Sequence, residues 1–353
     1  MTNPHRPVEL LVAGAGLIGR RHAELIRAHP GCRLVGIADP SPAAKAVADG
    51  LGVALHASLG AALAARRPDG VILATPNALH VEQALECLAA GVPALVEKPV
   101  AHTLADGERL LQAAEASATP LLVGHHRTHS PILAEARRAI DDGLLGDLVG
   151  VMGSAMFYKP DAYFAAAPWR SAPGGGPILI NLIHEIGNLR ALCGEIVAVQ
   201  AMASNARRGH VVEDTAAITM RFAGGALGTF LLSDTAASPR SWEQTSRENL
   251  DYPSSDDEDC YVIAGTDGSL SIPTMRLKSY LAKAERSWWK PFHTATLPLE
   301  RADPLARQLD HFVAVVRGTA TPLVSVRDGL QNLRVTEAIA WAVARRAEVE
   351  VAH

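Results

Sequence analysis

In the first third of the chain, short runs of apolar and β-branched residues alternate with segments of helical periodicity. The apolar runs predict strands at 9–13, 34–38, 70–74, 94–96 and 121–123. Between them, apolar residues recur at helical spacing over 18–28, 42–50, 80–90 and 106–117. Strands separated by helices of about ten residues are typical of a doubly wound parallel sheet. We therefore predict an N-terminal α/β domain over residues 1–123.

Beyond residue 123 the pattern changes to longer segments in which apolar and polar residues alternate. This alternation predicts strands at 148–158, 196–204, 215–222, 226–233 and 269–272. Ala223-Gly224-Gly225 and Gly265-Thr266-Asp267-Gly268 are predicted turns, the first of them in a hairpin. Helices are predicted at 304–317 and 326–345, and a long loop at 238–259. We predict a second α/β domain over residues 124–353, with a large, open, mostly antiparallel sheet.

An open sheet of this kind exposes an apolar face and unpaired edges, which proteins usually cover. We therefore expect the second domain to form a homodimer or homotetramer, with 226–233 near the contact. Trp242, Glu243, Trp288 and Trp289 are candidates for pocket walls or for such a contact.

The overall composition is that of a packed globular protein, with 48% hydrophobic and 20% charged residues. A formal net charge of −4 gives no reason to expect nucleic acid or an anionic membrane as partner. Residues 1–8 contain Pro4 and Pro7 and no apolar core, so we expect no secretory signal. The 4 cysteines are scattered and form no C-x-x-C, which favours a reduced cytoplasm without a zinc site or disulfides.

A glycine motif, Gly14-Ala15-Gly16-Leu17-Ile18-Gly19, joins the first predicted strand to the first helix. This strand–helix context is the one that a dinucleotide-binding motif requires. Gly14 permits a tight turn, Gly16 lets the backbone approach a pyrophosphate, and Gly19 lets helix and strand pack closely. The diphosphate would then bind the free N–H groups at the helix N-terminus. We predict a Rossmann domain that binds a nicotinamide dinucleotide.

Asp39, at the end of the second predicted strand, is placed where an acidic residue meets the adenosine ribose hydroxyls. A carboxylate there repels a 2′-phosphate, so NAD is favoured over NADP, although Ser41 nearby is able to accept a phosphate. The alternative is a glycine turn of some other α/β protein, with Asp39 capping a helix that starts near Pro42.

Further motifs give the chain a resemblance to a known family. Along the sequence they are Thr75-Pro76-Asn77-Ala78-Leu79-His80, Glu97-Lys98-Pro99, Gly174-Gly175-Gly176, Asn181-Leu182-Ile183-His184 and Val212-Glu213-Asp214-Thr215. With the glycine motif and His22, they resemble the glucose–fructose oxidoreductase/inositol dehydrogenase/MocA (Gfo/Idh/MocA) family over essentially the whole chain.

The resemblance implies a Rossmann domain followed by an α/β domain whose open sheet often forms the subunit interface. It also implies a set of cofactor-binding residues, namely Gly14, Gly16, Leu17, Ile18, Gly19, Asp39, Thr75, Pro76, Asn77, His80, Glu97 and Lys98. We expect Glu97 to support its turn or the cofactor amide rather than to perform chemistry.

Two residues are the candidates for catalysis. Oxidation of a carbinol needs a base for the hydroxyl proton while hydride leaves to a nicotinamide. Lys98 follows a predicted parallel strand, at the edge where open α/β sheets bind ligands, and its ammonium is suited to hydrogen-bond the reacting oxygen. The resemblance places the catalytic histidine at His184.

This sequence departs from the family close to the histidine. Many members have an aspartate four residues before it and another three residues after it, and here those positions are Ile180 and Gly187. The usual Asp–His pair is therefore absent, and it stays open which of Lys98 and His184 takes the proton. The alternative is that neither residue is catalytic: Lys98 would then be a solvated surface lysine and His184 a hydrogen-bonded structural histidine.

Candidate substrate residues begin after the last predicted parallel strand. If 124–131 is extended, alternate side chains share a side, so either His125 with Arg127 or His126 with Thr128 faces the cleft. Arg127 also matches a family arginine. The resemblance places Lys159, Tyr163, Trp169 and Arg170 in a loop near substrate, and Asn181 completes the set. Such a cationic, aromatic-lined pocket suits a carboxylated polyol as well as a neutral sugar.

The leading prediction is a dehydrogenase that transfers hydride between NAD and a secondary carbinol of a sugar, cyclitol or related cyclic polyol. One alternative is a glycosidase that uses tightly held NAD for transient oxidation. Another is a non-catalytic regulator, but such a protein needs neither Lys98 nor His184. A metal enzyme is disfavoured because the 14 histidines form no H-E-x-x-H motif.

Overall fold

The computed structural model describes residues 6–352. Its strands, β1 to β15 in chain order, are Val8–Ala13, Cys32–Ala38, Ala54–His56, Gly70–Leu73, Ala94–Glu97, Leu121–Gly124, Leu148–Met156, Ile196–Ser204, Thr215–Phe222, Leu227–Ser233, Tyr261–Gly265, Gly268–Ile272, Arg276–Ser279, His293–Thr296 and Val349–Glu350. Its α-helices, α1 to α11, are Leu17–Ala28, Ala44–Leu51, Leu59–Ala65, His80–Ala90, Leu104–Glu115, Pro131–Asp141, Asp161–Ala165, Ile183–Cys193, Trp242–Thr245, Pro304–Val316 and Val326–Arg345.

The described chain divides into two compact units. Unit 1 comprises residues 6–126 with Leu305–Leu333, and unit 2 comprises Arg127–Pro304 with residues 334–352. The predicted division at residue 123 therefore differs from the structure in the placement of α10 and the start of α11. The segment between these helices is tied to unit 1 at β6, where the Val123 N–H donates to the Val324 carbonyl at 2.9 Å.

Unit 1 is built on a parallel sheet with the strand order β3-β2-β1-β4-β5-β6. The order in which the chain adds strands to the sheet reverses between β1 and β4. Doubly wound sheets bind their ligands at this point. Gly14, Thr75 and Lys98 follow β1, β4 and β5, so all three lie at the carboxyl edge. The predicted fold class is confirmed here, although β3 and α3 were not predicted because each is shorter than the window that reveals periodicity.

Unit 2 is built on a nine-stranded sheet with the order β14-β13-β12-β11-β7-β10-β9-β8-β15. Only β7 and β10 pair in parallel, and the other neighbours are antiparallel, as expected for a mostly antiparallel sheet. Residues of α6, α8 and α11 pack with the sheet in one apolar cluster. Along β9 and β10, buried and exposed residues alternate, so the opposite face is open.

One expectation for this part of the chain is wrong. The segment after β6 is not extended, because His126–His129 form a 3₁₀ turn and α6 follows with Pro131 in its first turn. Ser130 caps that helix by accepting hydrogen bonds from the Ile132 and Leu133 N–H groups. The predicted loop at 238–259 is irregular apart from the short helix α9, and Trp242 in that helix is buried, so it makes no surface contact.

None of the helices in residues 6–352 combines the length and apolar character needed to cross a membrane.

Candidate active site

The glycine turn between β1 and α1 is shaped by close backbone packing. Gly14 has a φ of +95°, and a Cβ there would lie 2.4 Å from the Ala74 carbonyl oxygen. A Cβ at Gly19 would lie 2.0 Å from the Gly14 carbonyl oxygen. A Cβ at Gly16, by contrast, would have no atom within 4 Å. Gly14 and Gly19 are thus required for packing, while Gly16 leaves open space at the turn.

The N-terminus of α1 is suited to bind an anion. Gly16 is its N-cap residue, no side chain caps it, and its first turn contains no acidic residue. The first N–H groups of a helix have no intrahelical partner and carry partial positive charge. The Leu17 side chain is 87% exposed, so it does not shield these N–H groups from a ligand. Residues Gly14 to Gly19 therefore fit the diphosphate of a dinucleotide.

Asp39 is tied to the same turn. Its Oδ2 accepts a hydrogen bond from the Ala15 N–H at 2.7 Å, and its Oδ1 accepts one from the Ser41 N–H at 2.7 Å. The carboxylate therefore holds the glycine turn at the end of β2, and each oxygen retains a lone pair for a further donor. It does not cap α2, because that helix has Ala43 as its N-cap residue.

His80 is placed differently from what we predicted for a cofactor-binding side chain. Its ring is 1% exposed, with Nδ1 2.8 Å from the Pro99 carbonyl oxygen and Nε2 2.8 Å from the Thr75 carbonyl oxygen. Burial lowers the pKa of His80, against the effect of these two carbonyls. Because backbone groups occupy both ring nitrogens, the imidazole positions the segments after β4 and β5. Thr75, Pro76 and Asn77 remain at least partly accessible.

Glu97 is likewise a positioning group. It is 6% exposed, its Oε1 lies 2.8 Å from His22 Nε2, and its Oε2 accepts a hydrogen bond from the Lys98 N–H at 3.2 Å. Burial acts to raise the pKa of Glu97, but the hydrogen bond from His22 and nearby positive charges hold it below its usual range. This agrees with the expectation that Glu97 supports its turn. Lys98 itself is half-buried at the end of β5, and the Lys98–Pro99 peptide bond is cis.

In unit 2, His184 lies in the first turn of α8, directly after a π-helical turn at Ile178–Leu182. Such turns are frequent at functional sites. Glu213 holds the start of this segment, where its Oε1 accepts a hydrogen bond from the Ile178 N–H at 2.8 Å. Ile180 and Asn181 lie in the π-helical turn, and His184 is 9% exposed.

A buried charged cluster, which we call the Arg127 cluster, lies beside α8. The Arg127 guanidinium donates to Glu185 Oε1 at 2.6 Å and to Glu243, and the Tyr261 hydroxyl donates to Glu185 Oε2. Trp242 completes the cluster, with its ring centroid 5.7 Å from Arg127 Cζ. Burial acts to lower the pKa of Arg127, but the two carboxylates raise it, while burial raises the pKa of Glu185.

The Arg127 cluster changes two interpretations. Arg127 is 4% exposed and donates to two carboxylates, so its guanidinium is a structural group and not the substrate contact that we predicted. Sequence reasoning missed Glu185 and Tyr261. The available signal was a single acidic residue in the apolar run 178–189, because a buried carboxylate requires a partner.

The structure brings together most of the other predicted substrate residues. Lys159 Nζ donates to Asn181 Oδ1 at 2.6 Å and lies 4.8 Å from the Tyr163 ring centroid. Arg170 Cζ lies 3.8 Å from the same centroid, and Trp169 is 57% exposed beside it. We call Lys159, Tyr163, Trp169, Arg170 and Asn181 the Tyr163 cluster. His126 belongs to unit 1, where it is half-buried.

The fold and the glycine turn define an oxidoreductase with a nicotinamide-dinucleotide domain. Residues 8–125 match the model of an oxidoreductase family with an NAD-binding Rossmann fold, and residues 133–271 match the GFO/IDH/MocA C-terminal domain. The chain therefore belongs to the GFO/IDH/MocA family of oxidoreductases, and the predicted family and enzyme class are confirmed.

Individual relatives support this membership at low identity. The rhizopine catabolism protein MocA of Rhizobium meliloti is 30% identical over 184 residues, which are 52% of this chain and 56% of that protein. Inositol 2-dehydrogenase of Rhizobium meliloti is 26% identical over 96% of this chain and 98% of its own. The WlbA dehydrogenase of Chromobacterium violaceum, solved with NADH and UDP-GlcNAcA, is 26% identical, with a TM-score of 0.79 over 98% of this chain and 96% of that one.

Proposed function

We propose that this protein is an NAD-dependent dehydrogenase that oxidises a secondary hydroxyl of a sugar, cyclitol or related cyclic polyol. The observation that carries the proposal is the uncapped N-terminus of α1 beside the open space at Gly16, on the same sheet edge as Lys98. The dehydrogenase names of the relatives, one of which acts on inositol, support the substrate class.

In this proposal, Lys98 and His184 are the catalytic residues. Oxidation of a secondary alcohol to a ketone removes a hydride from carbon, for which bound NAD supplies the acceptor, and a proton from oxygen. The Lys98 ammonium donates a hydrogen bond to the reacting oxygen and stabilises its alkoxide character. Either His184 receives the proton while Lys98 remains an ammonium, or Lys98 enters the step as a neutral amine and receives the proton itself while His184 orients the substrate. Ile180 and Gly187 supply no carboxylate to the histidine, so the usual Asp–His pair does not decide between them.

We assign NAD rather than NADP as the preferred cofactor because of Asp39. Its carboxylate is fixed at the end of β2 by two backbone N–H groups, and a fixed negative charge repels a 2′-phosphate. The same two bonds fix the orientation of the carboxylate, so the repulsion does not depend on a mobile side chain.

The experiment that tests the dehydrogenase assignment is a panel of polyols, sugars and hydroxy acids, scored for NAD reduction at 340 nm. We expect at least one cyclic polyol or sugar to reduce NAD, and the Lys98→Ala variant to lose that activity. A panel in which no secondary alcohol reduces NAD or NADP would contradict the assignment.

We further propose that the protein is a homodimer or homotetramer that uses the open face of the unit 2 sheet. Met202 and Leu231, on β8 and β10, are 76% and 41% exposed on either side of β9, and they border a shallow depression of about 430 Å³. Apolar side chains in a row are usually covered. Light scattering at micromolar concentration is expected to give a dimer or tetramer, and Leu231→Asp to weaken it. A monomeric native protein would contradict this part of the proposal.

A cytoplasmic location stays a prediction.

A further inference from the structure

We propose that Arg170 and Lys159 of the Tyr163 cluster form a carboxylate-binding subsite, and that the substrate is a carboxylated polyol. This inference rests on the proposed dehydrogenase function and names its substrate class more narrowly.

The Arg170 guanidinium carries a charge that the described protein does not neutralise. It lies against the Tyr163 ring at 3.8 Å, and within residues 6–352 its one hydrogen bond is from Nη1 to the Tyr163 carbonyl oxygen at 2.6 Å. Its Nε is buried without a hydrogen-bond partner, and no carboxylate of the described residues forms an ion pair with it. A half-buried guanidinium usually has such a partner, because its rigid fork matches a carboxylate with two parallel hydrogen bonds.

Lys159 adds a second positive charge to the same ring. Its Nζ lies 4.8 Å from the Tyr163 centroid, so the two cations are within about 9 Å of each other. The hydrogen bond that Lys159 donates to Asn181 goes to a neutral amide oxygen. Two like charges at this distance repel each other, and an anion bound close to both would relieve that repulsion.

Three acidic residues of unit 2, Asp161, Glu213 and Asp234, have partners other than Arg170. Asp234 accepts a hydrogen bond from Arg208 Nε at 2.8 Å, and Asp161 lies 3.5 Å from Arg208 Nη1. Glu213 accepts the Ile178 N–H, and burial raises its pKa. None of these three carboxylates therefore neutralises Arg170.

The subsite is connected to the candidate catalytic histidine through a continuous helical segment. Asn181, which binds Lys159, lies in the π-helical turn three residues before His184. The two residues are therefore less than about one helical turn apart along this segment. A substrate anchored by its carboxylate at Lys159 and Arg170 would therefore extend its hydroxyl-bearing carbons toward His184.

The test compares matched substrates that differ only in charge. The NAD-loaded enzyme is assayed with uronic and aldonic acids, their methyl esters, the parent neutral sugars and the corresponding sugar phosphates. We expect kcat/KM to be at least 10-fold higher for the best acid than for its ester. In Arg170→Gln, we expect a 10- to 100-fold loss for the acid, mainly in KM, and little change for the ester, since charged hydrogen bonds have about this effect.

Two further variants keep the test decisive. Lys159→Gln is expected to give a smaller loss of the same kind, and it serves if Arg170→Gln fails to fold. Arg345→Gln is the matched control, because Arg345 also lies over an aromatic ring, 5.5 Å from the Trp341 centroid, and it is expected to behave as the native enzyme. Equal turnover of acid and ester, equal losses for both in Arg170→Gln, or a preference for the phosphates would overturn the carboxylate subsite.

The outcomes also separate this inference from the proposed function. If neutral polyols reduce NAD and acids do not, the dehydrogenase assignment is supported and the carboxylate subsite is refuted. If nothing in the panel reduces NAD, the dehydrogenase assignment is refuted. The subsite is then tested by calorimetry, which compares the binding of D-glucuronate with that of D-glucose. Binding of glucuronate that is lost in Arg170→Gln supports it, and no binding to the native protein overturns it.

Discussion

The two units use their buried polar side chains in different ways. In unit 1, Asp39, His80 and Glu97 make hydrogen bonds to backbone groups, and what they leave for a ligand is the backbone of the glycine turn together with Lys98. In unit 2, Arg127 and Glu185 bind to each other beside α8. What that unit offers to a ligand is side chains, those of the Tyr163 cluster.

The difference follows from what each unit is proposed to bind. A diphosphate is recognised by N–H groups and a helix N-terminus, which any sequence provides once the turn has the right shape. Recognition of a particular sugar or acid requires side chains of particular chemistry. Other side chains must hold these in the correct orientation. Polar groups in unit 1 should therefore control geometry, and those of unit 2 should control stability and substrate choice.

The largest effect is expected at Lys98, the side chain that unit 1 keeps for chemistry. Lys98→Ala should lower kcat/KM by roughly 10²–10⁴-fold, the usual range for a positioned acid–base group, with little change in NAD affinity. His184→Ala should show a comparable loss if the imidazole is the base, and a smaller loss, largely in KM, if it orients the substrate. Near-normal turnover in both variants would mean that the active site is elsewhere.

The Arg127 cluster should be a determinant of stability. Arg127→Met leaves Glu185 buried without its cation, and breaking a buried pair costs about 3–5 kcal/mol of the free energy of unfolding. The matched control is Arg138→Met, which removes a surface pair with Glu135 and should cost about 0–1 kcal/mol. Urea unfolding of the two variants measures the difference. Equal losses would show that unit 2 does not depend on this cluster.

Glu248 should make the stability of unit 2 depend on pH. Burial raises its pKa to about 7, despite hydrogen bonds from Trp242 and Ser130. Because the folded-state pKa lies above the unfolded value, the contribution is fully present below about pH 4.5 and is lost as the pH rises through 7. The loss amounts to about 3 kcal/mol.

Glu248→Gln resembles the protonated carboxyl and should remove this pH dependence. The measurement is the free energy of unfolding of both proteins between pH 5 and pH 8, where the variant should gain relative to the native protein as the pH rises. Parallel curves for the two proteins would exclude the titration of Glu248 in this range.

The smallest effect is expected for cofactor choice. Native protein should bind NAD more tightly than NADP by calorimetry, and Asp39→Ala should narrow the ratio by about 10-fold as the charge is removed. Both affinities should also fall, since Ala15 N–H loses its acceptor. Asp39→Asn, which keeps one acceptor oxygen, should narrow the ratio with less loss of affinity. Equal or tighter binding of NADP to the native protein would contradict the NAD assignment.

The comparison of units also explains what the sequence predicted well. The strands and helices of unit 1 and the glycine turn come from local patterns, so α4 and α11 match the predicted bounds. The Arg127 cluster joins residues that are 58, 76 and 116 positions apart, and no local pattern reveals such partners. Arg127 was therefore placed at the substrate when its charge is used inside the fold.

Local irregularity accounts for the other differences. The segment after β6 was predicted to be extended. It forms a 3₁₀ turn instead, because Ser130 and Pro131 begin a helix directly after it. β15 has two residues, too few to show alternation. The Tyr163 cluster could be listed from the sequence, but the stacking of two cations on one ring depends on the short helices and turns between 161 and 182.

The ratio of NADH formed to oxidised product, measured with the best substrate of the panel, tests the dehydrogenase assignment most directly. We predict one NADH for each ketone formed, and a rate of NADH formation at least 100-fold lower in Lys98→Ala. Release of a sugar without net NADH would indicate instead a glycosidase that oxidises its substrate only transiently. An unchanged rate of NADH formation in Lys98→Ala would contradict the catalytic assignment.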